Sequence, residues 1–343
     1  MRTSFLTVAL SVALVLAFAA PGMAATTYEF KIAHIEGAGG AGEKAFYHLQ
    51  KILQEKSKGQ IKVTVYKGKS MAQSDTELGE IVRQGTVQMV PVPTHTLSAM
   101  ANIPQYSVFE FPYLFTDWND IYKVLDSNLA KGWAKVLEKD AGVVVYGGFV
   151  KGWLSIGTKR GPISTPGELK GLKIRTMATD MQMGLISALG ASPAVVAYGE
   201  LYTAQQQGMV DGMLTATTLY RTDKFAEVIN HLSIIRATAH FHLPTINKKW
   251  LDSLTPELRA IFDECMKEYV AFGREAEKEL NEAVIAAMDK EFKVKVRMYT
   301  EAELVPFKAA VKPMWEKFYD KPGKGVIDEV LRFLGKDFKT LLQ

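Results

Sequence analysis

Apolar residues alternate with polar ones over residues 28–34 and again over Ile61–Tyr66, while between them Phe46, Leu49, Ile52 and Leu53 recur at helical spacing over 43–56. A period of two followed by a period near 3.6 and a return to two predicts strand, helix, strand. The same alternation continues. Residues 76–84 read as a helix led by Asp75 as its N-cap, 87–92 as a buried strand, and 117–125 and 128–140 as helices opened by Asp117 and Asn128. Strands over 143–149 and 153–158 follow. Then Thr165-Pro166-Gly167-Glu168 supplies an N-cap, a proline at the first helical position and a capping-box glutamate, and Gly171 stops the turn before a strand whose Leu172, Ile174 and Thr176 share a face. Helix 180–189, strand 194–198, helix 200–208 and strand 210–214 complete a pattern of parallel strands under helical cover. An extended return is expected over 234–246.

From Thr255-Pro256-Glu257 a helical pattern persists to about 290, with Leu258, Ile261, Phe262, Met266, Tyr269, Phe272 and Leu280 as its apolar side. This is far longer than an average helix. Its apolar positions keep no sustained seven-residue register, which argues against a coiled-coil seam. A strand over 294–298 and helices over 303–319 and 325–342 close the chain.

Arg175 ends the strand that follows the capping box, and the carboxyl ends of strands in open α/β sheets are where ligands bind. A guanidinium there projects into a crevice. Composition narrows what that crevice can be. With 343 residues the chain exceeds what one core holds and predicts two lobes. Its 41 basic and 37 acidic residues leave a charge of +4, too small and scattered for nucleic acid. Cys265 stands alone, so neither a disulfide within the chain nor a cysteine metal site is available.

Other chemistry is sparse. Gly37-Ala38-Gly39-Gly40-Ala41-Gly42 matches Gly-x-Gly-x-x-Gly, and taken literally it makes the chain a dinucleotide-dependent oxidoreductase. However, the second strand ends Val65-Tyr66-Lys67-Gly68, without the carboxylate that holds a ribose. The loop reads better as a flexible helix start at a cleft mouth, with backbone donors free to face an anion. His240 and His242 share a face of an extended segment, but with no third ligand in view they give no metal site. No serine elbow, Walker loop or Cys-His pair is present. The expectation is a binding protein, not an enzyme, with no cofactor.

The N-terminus carries an export signal. Arg2, an apolar run over 5–20 and Pro21-Gly22-Met23-Ala24 predict cleavage after Ala24. The run falls short of the ~20 residues a bilayer span needs. No twin arginine and no nearby cysteine accompany it, so neither prefolded export nor a lipid anchor is expected.

The Arg175 segment Leu169-Lys170-Gly171-Leu172-Lys173-Ile174-Arg175-Thr176-Met177 resembles the one that carries the carboxylate-clamping arginine in the periplasmic solute receptors of TRAP transporters. Further pieces match in order: Phe109-Glu110-Phe111-Pro112-Tyr113-Leu114-Phe115, Ala188-Leu189-Gly190-Ala191-Ser192-Pro193, and Gly199-Glu200-Leu201-Tyr202-Thr203-Ala204 running on to Gly208-Met209-Val210-Asp211-Gly212. The resemblance implies an α/β, two-lobed periplasmic binding protein of type II-like form, with its cleft between the lobes and a long helix bridging them. The expected division is a signal peptide over 1–24, a first lobe over 25–150 with segments returning from about 235–270 and the C-terminal region, a second lobe over 151–234 with later segments about 271–300, and C-terminal helices over 301–343 packing on both.

Carried over residue by residue, the resemblance implies that Arg175 pairs with a substrate carboxylate and that Tyr198 lies against the ligand. The strand tip Pro93-Thr94-His95-Thr96 lines the cleft, so Thr94 joins the set, as does Asp75. Thr215 stands where the family has asparagine, and Trp153 aligns with its frequent second arginine, with Lys151 nearby as a possible replacement. Exchange of a charge for an indole shifts the expected ligand from a C4-dicarboxylate or 2-oxo acid toward an aromatic or indolyl monocarboxylate. Hinge closure, delivery to a membrane permease and a monomeric state complete the expectation.

Overall fold

The computed structural model describes residues 26–342; the expected signal segment lies outside them. Strands β1 (Tyr28–Ala33), β2 (Ile61–Tyr66) and β3 (Met89–Val92) are parallel, joined by α1 (Ala41–Lys56) and α2 (Asp75–Arg83). Ser74, not Asp75, caps α2: its side chain accepts from the Glu77 amide, which leaves Asp75 as the first helical residue. Immediately after β3 the chain turns into α3 (Thr94–Met100), where the sequence predicts only a strand tip. Pro93 opens it because its fixed φ and missing N–H suit a helix start.

Helices α4 (Trp118–Asp126) and α5 (Asn128–Asp140) are capped by Asp117 and Ser127, and lead to β4 (Val143–Val145) and β5 (Phe149–Thr158). The capping box forms as predicted around Thr165 and Glu168, but over a single turn. Next come β6 (Lys173–Thr176), α6 (Asp180–Ala188), β7 (Ser192–Val195), α7 (Leu201–Gln206), β8 (Gly212–Ala216), α8 (Leu219–Thr222), β9 (His231–Ile234) and β10 (Ala239–Asn247). The chain finishes with α9 (Lys248–Asp252), α10 (Pro256–Phe292), β11 (Lys295–Met298), α11 (Glu301–Phe318), α12 (Val326–Leu334) and α13 (Phe338–Leu341).

Strand order across the sheet is β2-β1-β3-β10-β5-β8-β6-β7, with β4 on β10 and β9 between β5 and β11. Two antiparallel strands, β5 and β10, therefore carry the chain between a half built on β1–β3 and a half built on β6–β9. The end of β10 pairs with β3 while its start pairs with β5. That β5–β10 ladder slips by one residue: His240 faces Gly152 and Phe241 faces Val150, so Lys151 is bulged out.

Helix α10 is the long helix expected. Its Leu258, Phe262, Met266 and Tyr269 pack with Phe30, Phe46 and Leu49 of the first half, whereas Val284 and Met288 pack with Met213 and Leu232 of the second. Each such side chain contributes about 1.5–3 kcal/mol by leaving water, so α10 ties both halves together.

Candidate functional site

Parallel pairing with β7 and β8 places Arg175 at the carboxyl end of β6, between Ala194 and Met213. Its side chain is 3% exposed. Nε donates to the Val196 carbonyl at 3.0 Å and Nη1 to the Leu214 carbonyl at 3.4 Å. Among the described residues no carboxylate forms an ion pair with it; Asp75, Tyr198 and Tyr220 act only at longer range. Burial pushes the guanidinium down to about 10, so it is still a cation at neutral pH. A buried cation held only by carbonyl dipoles is an unfinished ion pair, and an anion completes it.

Arg175 lines a cavity of about 30 Å³ together with Asp75, Tyr198, Thr215, Glu36, His240 and His242, and with Ile35, Leu154, Met177 and Leu219 as apolar wall. Asp75, Tyr198 and Thr215 are thus brought to Arg175. Thr94 lies one chamber further: with His95, Glu110, Gln182 and Thr238 it lines an adjoining space of about 10 Å³, which shares Leu154, Met177 and His240 with the first. Burial, then the charges of Asp223 and Glu36, keep the Tyr198 phenol far above its ordinary range, so it is a neutral hydroxyl.

Trp153 is not among them. It lines a separate groove of about 1110 Å³ with Trp118, Tyr122 and Arg274, and Leu154 occupies the cavity in its place. The bulge at Lys151 shifts the alternation of β5 by one residue, and a one-residue shift exchanges the two faces of a strand.

Lys151 cannot stand in for a second arginine either. Its Nζ is 2.7 Å from Glu36 Oε2 and 2.6 Å from Glu277 Oε1 of α10, and it is 1% exposed. Burial opposes its charge, but Glu277 and then Glu36 hold it protonated. Burial likewise opposes the Glu36 carboxylate, which Lys151 and then His242 hold well below its ordinary value. His242 Nδ1 lies 3.0 Å from Glu36 Oε1, and the Nε2 atoms of His240 and His242 share a hydrogen bond across 3.1 Å. Burial and the neighbouring His242 hold His240 well below its ordinary range. The histidine spacing noted in the sequence serves this relay; among the described residues no cluster able to hold a metal is present.

The glycine loop has a different use from the one its motif suggests. Gly37 N donates to Asp223 Oδ1 at 3.0 Å and Gly39 N to Glu43 Oε2 at 2.6 Å, so these donors meet carboxylates of the chain itself. A Cβ on Gly37 would lie 2.5 Å from the Thr222 carbonyl. Close backbone approach between the two halves of the molecule, not a pyrophosphate, explains that glycine. Two further contacts join the same edges: Lys69 Nζ donates to the Gly199 carbonyl at 3.3 Å, and Thr179 Oγ1 to Glu110 Oε2 at 2.9 Å.

Sequence reasoning missed Glu36, Glu110, Leu154 and the histidine relay as cleft residues. Leu154 gave no local signal, because β5 is buried on both faces, and Glu36 and Glu110 gave none, because their roles depend on partners far away in the chain.

Comparison with known proteins gives a match to the family model for bacterial extracellular solute-binding proteins, family 7, over residues 32–322. The C4-dicarboxylate-binding periplasmic protein DctP of Rhodobacter capsulatus is 25% identical, over 93% of this chain and 94% of that one. The 2,3-diketo-L-gulonate-binding periplasmic protein YiaO of Escherichia coli is 28% identical, over 61% of this chain and 62% of that one. Among solved structures, the sugar acid binding protein DctPAm of Advenella mimigardefordensis, in complex with galactonate, superposes with a TM-score of 0.85 at 24% identity, over 90% of this chain and 98% of that one, a likeness of fold. No helix of the described residues is long and apolar enough to cross a membrane.

Proposed function

Because the chain belongs to family 7 of the bacterial extracellular solute-binding proteins, the periplasmic receptors of TRAP transporters, we propose that it captures a small organic monocarboxylate on Arg175 and presents it, by hinge closure, to a membrane permease. The observation that carries this reading is the buried Arg175 guanidinium, which among the described residues has no carboxylate in ion-pair contact. Its fork of N–H donors matches a carboxylate bidentately. Tyr198 and Thr215 stand beside that acid group, Asp75 lines the same cavity, and Thr94 lies toward the ligand's far end. The reading takes the protein to act as a monomer, with the β5–β10 crossing as the hinge and the parts on either side as the two lobes.

A C4-dicarboxylate, the ligand named for the Rhodobacter relative, brings a second charge. An unpaired buried ion costs several kcal/mol. Arg175 is the cation in the cavity wall, and nearby Lys151 already serves two glutamates. Aromatic and indolyl acids keep the support of Tyr198 and the apolar wall but lose Trp153. They also require a wider opening of a cavity of about 30 Å³ than a short aliphatic acid does.

Calorimetric titration with three sets of acids tests the reading: aliphatic hydroxy or oxo monoacids, aryl and indolyl acids, and C4 diacids. Tight binding confined to succinate or malate would overturn the monocarboxylate proposal. Binding of none of the three, with cofactor or peptide binding instead, would overturn the receptor reading of Arg175.

A further inference from the structure

The chamber beyond Arg175 carries its own chemistry. Glu110 lines both the inner space that holds Thr94, Gln182 and Thr238 and the outer vestibule of about 600 Å³ that leads to solvent. It stands at the junction of the two. Resting on the assignment of Arg175 to the ligand's acid group, we propose that Glu110 is the specificity-determining residue for the other end of the ligand: it accepts a hydrogen bond from a hydroxyl or ammonium group there and turns away a second carboxylate.

Three observations support this. First, Glu110 is held in place, because Thr179 at the start of α6 donates to its Oε2 at 2.9 Å across the cleft. Oε1 is then the atom with capacity to spare for a ligand. Second, the inner chamber contains no lysine or arginine. Lys321, in the vestibule, is bound to Asp180 at 2.6 Å. Third, the remaining polar wall is Thr94, Thr238, Gln182 and the rings of His95 and His240, and the Thr238 hydroxyl is buried with no hydrogen-bond partner in the protein.

The electrostatics follow directly. Burial already raises the Glu110 carboxyl above its ordinary range, so a diacid reaching it from the guanidinium adds negative charge where burial disfavours it, with no lysine or arginine in the inner chamber to offset it. It can stay only by bringing a proton into the pair. A hydroxyl or ammonium group instead offers the hydrogen that Oε1 accepts, and the threonine hydroxyls serve neighbouring hydroxyls of the same ligand. The class selected is a hydroxylated or amino monocarboxylate.

Glu110→Gln is the informative change, because the amide oxygen keeps the Thr179 contact while the amide nitrogen becomes a donor toward the ligand. Binding of glycerate, gluconate, galactonate and serine is compared with that of succinate and malate by calorimetry, for the wild type and the variant. The wild type should favour a member of the first group over both diacids by at least tenfold, and the variant should shrink that ratio at least tenfold by gaining diacid affinity. A wild-type preference for a diacid overturns the proposal even if the variant does not fold. An unchanged ratio in a folded Glu110→Gln protein overturns it too, and if Arg175→Ala still abolishes binding, the receptor reading survives that failure. Binding of none of these acids by the wild type overturns the Glu110 assignment, and failure of the aryl and indolyl acids as well overturns both.

Discussion

Lys151 Nζ stands 2.6 Å from Glu277 Oε1, joining the bulge of the crossover strand β5 to the middle of the long helix α10. The pair is buried, with Glu277 0% exposed, and Glu36 of the first half closes it into a triad. The lysine expected to replace a second arginine in the cleft is therefore consumed by the frame that holds the two halves together.

Replacing that cation should damage the frame. Lys151→Met leaves the Glu36 and Glu277 carboxyls buried without their partner, a loss that typically costs about 3–5 kcal/mol. Thermal and urea unfolding of the ligand-free protein should show it. A variant as stable as the wild type would mean that water already shares these groups.

Arg175→Ala should act in the opposite way. The ligand loses its charged partner, worth about 3–5 kcal/mol, or roughly two to three and a half orders of magnitude in affinity. The ligand-free thermal midpoint should hardly move, because the arginine satisfies only the Val196 and Leu214 carbonyls. Collapse of the ligand-free variant would make Arg175 a structural residue.

Stability should fall on mild acidification. His240 is held well below its ordinary value of 6.5 by burial and by His242, so the unfolded chain takes up a proton that the folded one refuses. The contribution is fully present above about 6.5 and is lost as the pH falls below it, at up to about 1.4 kcal/mol per pH unit. Urea titrations between pH 7.5 and 5 measure the slope. His240→Gln should flatten it, and an unchanged slope would assign the effect elsewhere.

Gly37→Ala probes closure. Its methyl group would lie 2.5 Å from the Thr222 carbonyl, so the contact between Gly37 and Asp223 must open. The closed form alone suffers, and affinity should drop roughly tenfold, about 1.4 kcal/mol. Little change in the ligand-free midpoint is expected, and full retention of affinity would show that this contact does not contribute to closure.

Trp153→Phe should leave ligand affinity within about twofold, since the indole lines the outer groove, whereas Leu154→Ala should change it by an order of magnitude or more through the lost wall. Equal and large effects at both positions would place the indole in the cleft after all.

Local patterns were enough to read much of this protein from its chain. The alternation of strands and helices, the length of α10, the capping box before β6 and the position of Arg175 at a carboxyl strand end all depend on residues within a few positions of one another. Ordered segments from Phe109-Glu110-Phe111-Pro112 to Asp211-Gly212 carried the family. Tyr198 and Thr215 came from that resemblance, and both line the cavity with Arg175.

Tertiary structure decided what local pattern leaves undetermined. Strand β5 is buried on both sides, so burial marks no face, and only the bulge created by pairing with β10 sets Leu154 inward and Trp153 outward. Lys151 meets partners more than a hundred residues away on either side, Glu36 and Glu277, so its charge reads as available in the sequence and is spent in the fold. The Gly37 loop satisfies a nucleotide motif and yet closes on Asp223. In each case the sequence supplied the chemical group, and a contact between segments distant in the chain determined what that group faces.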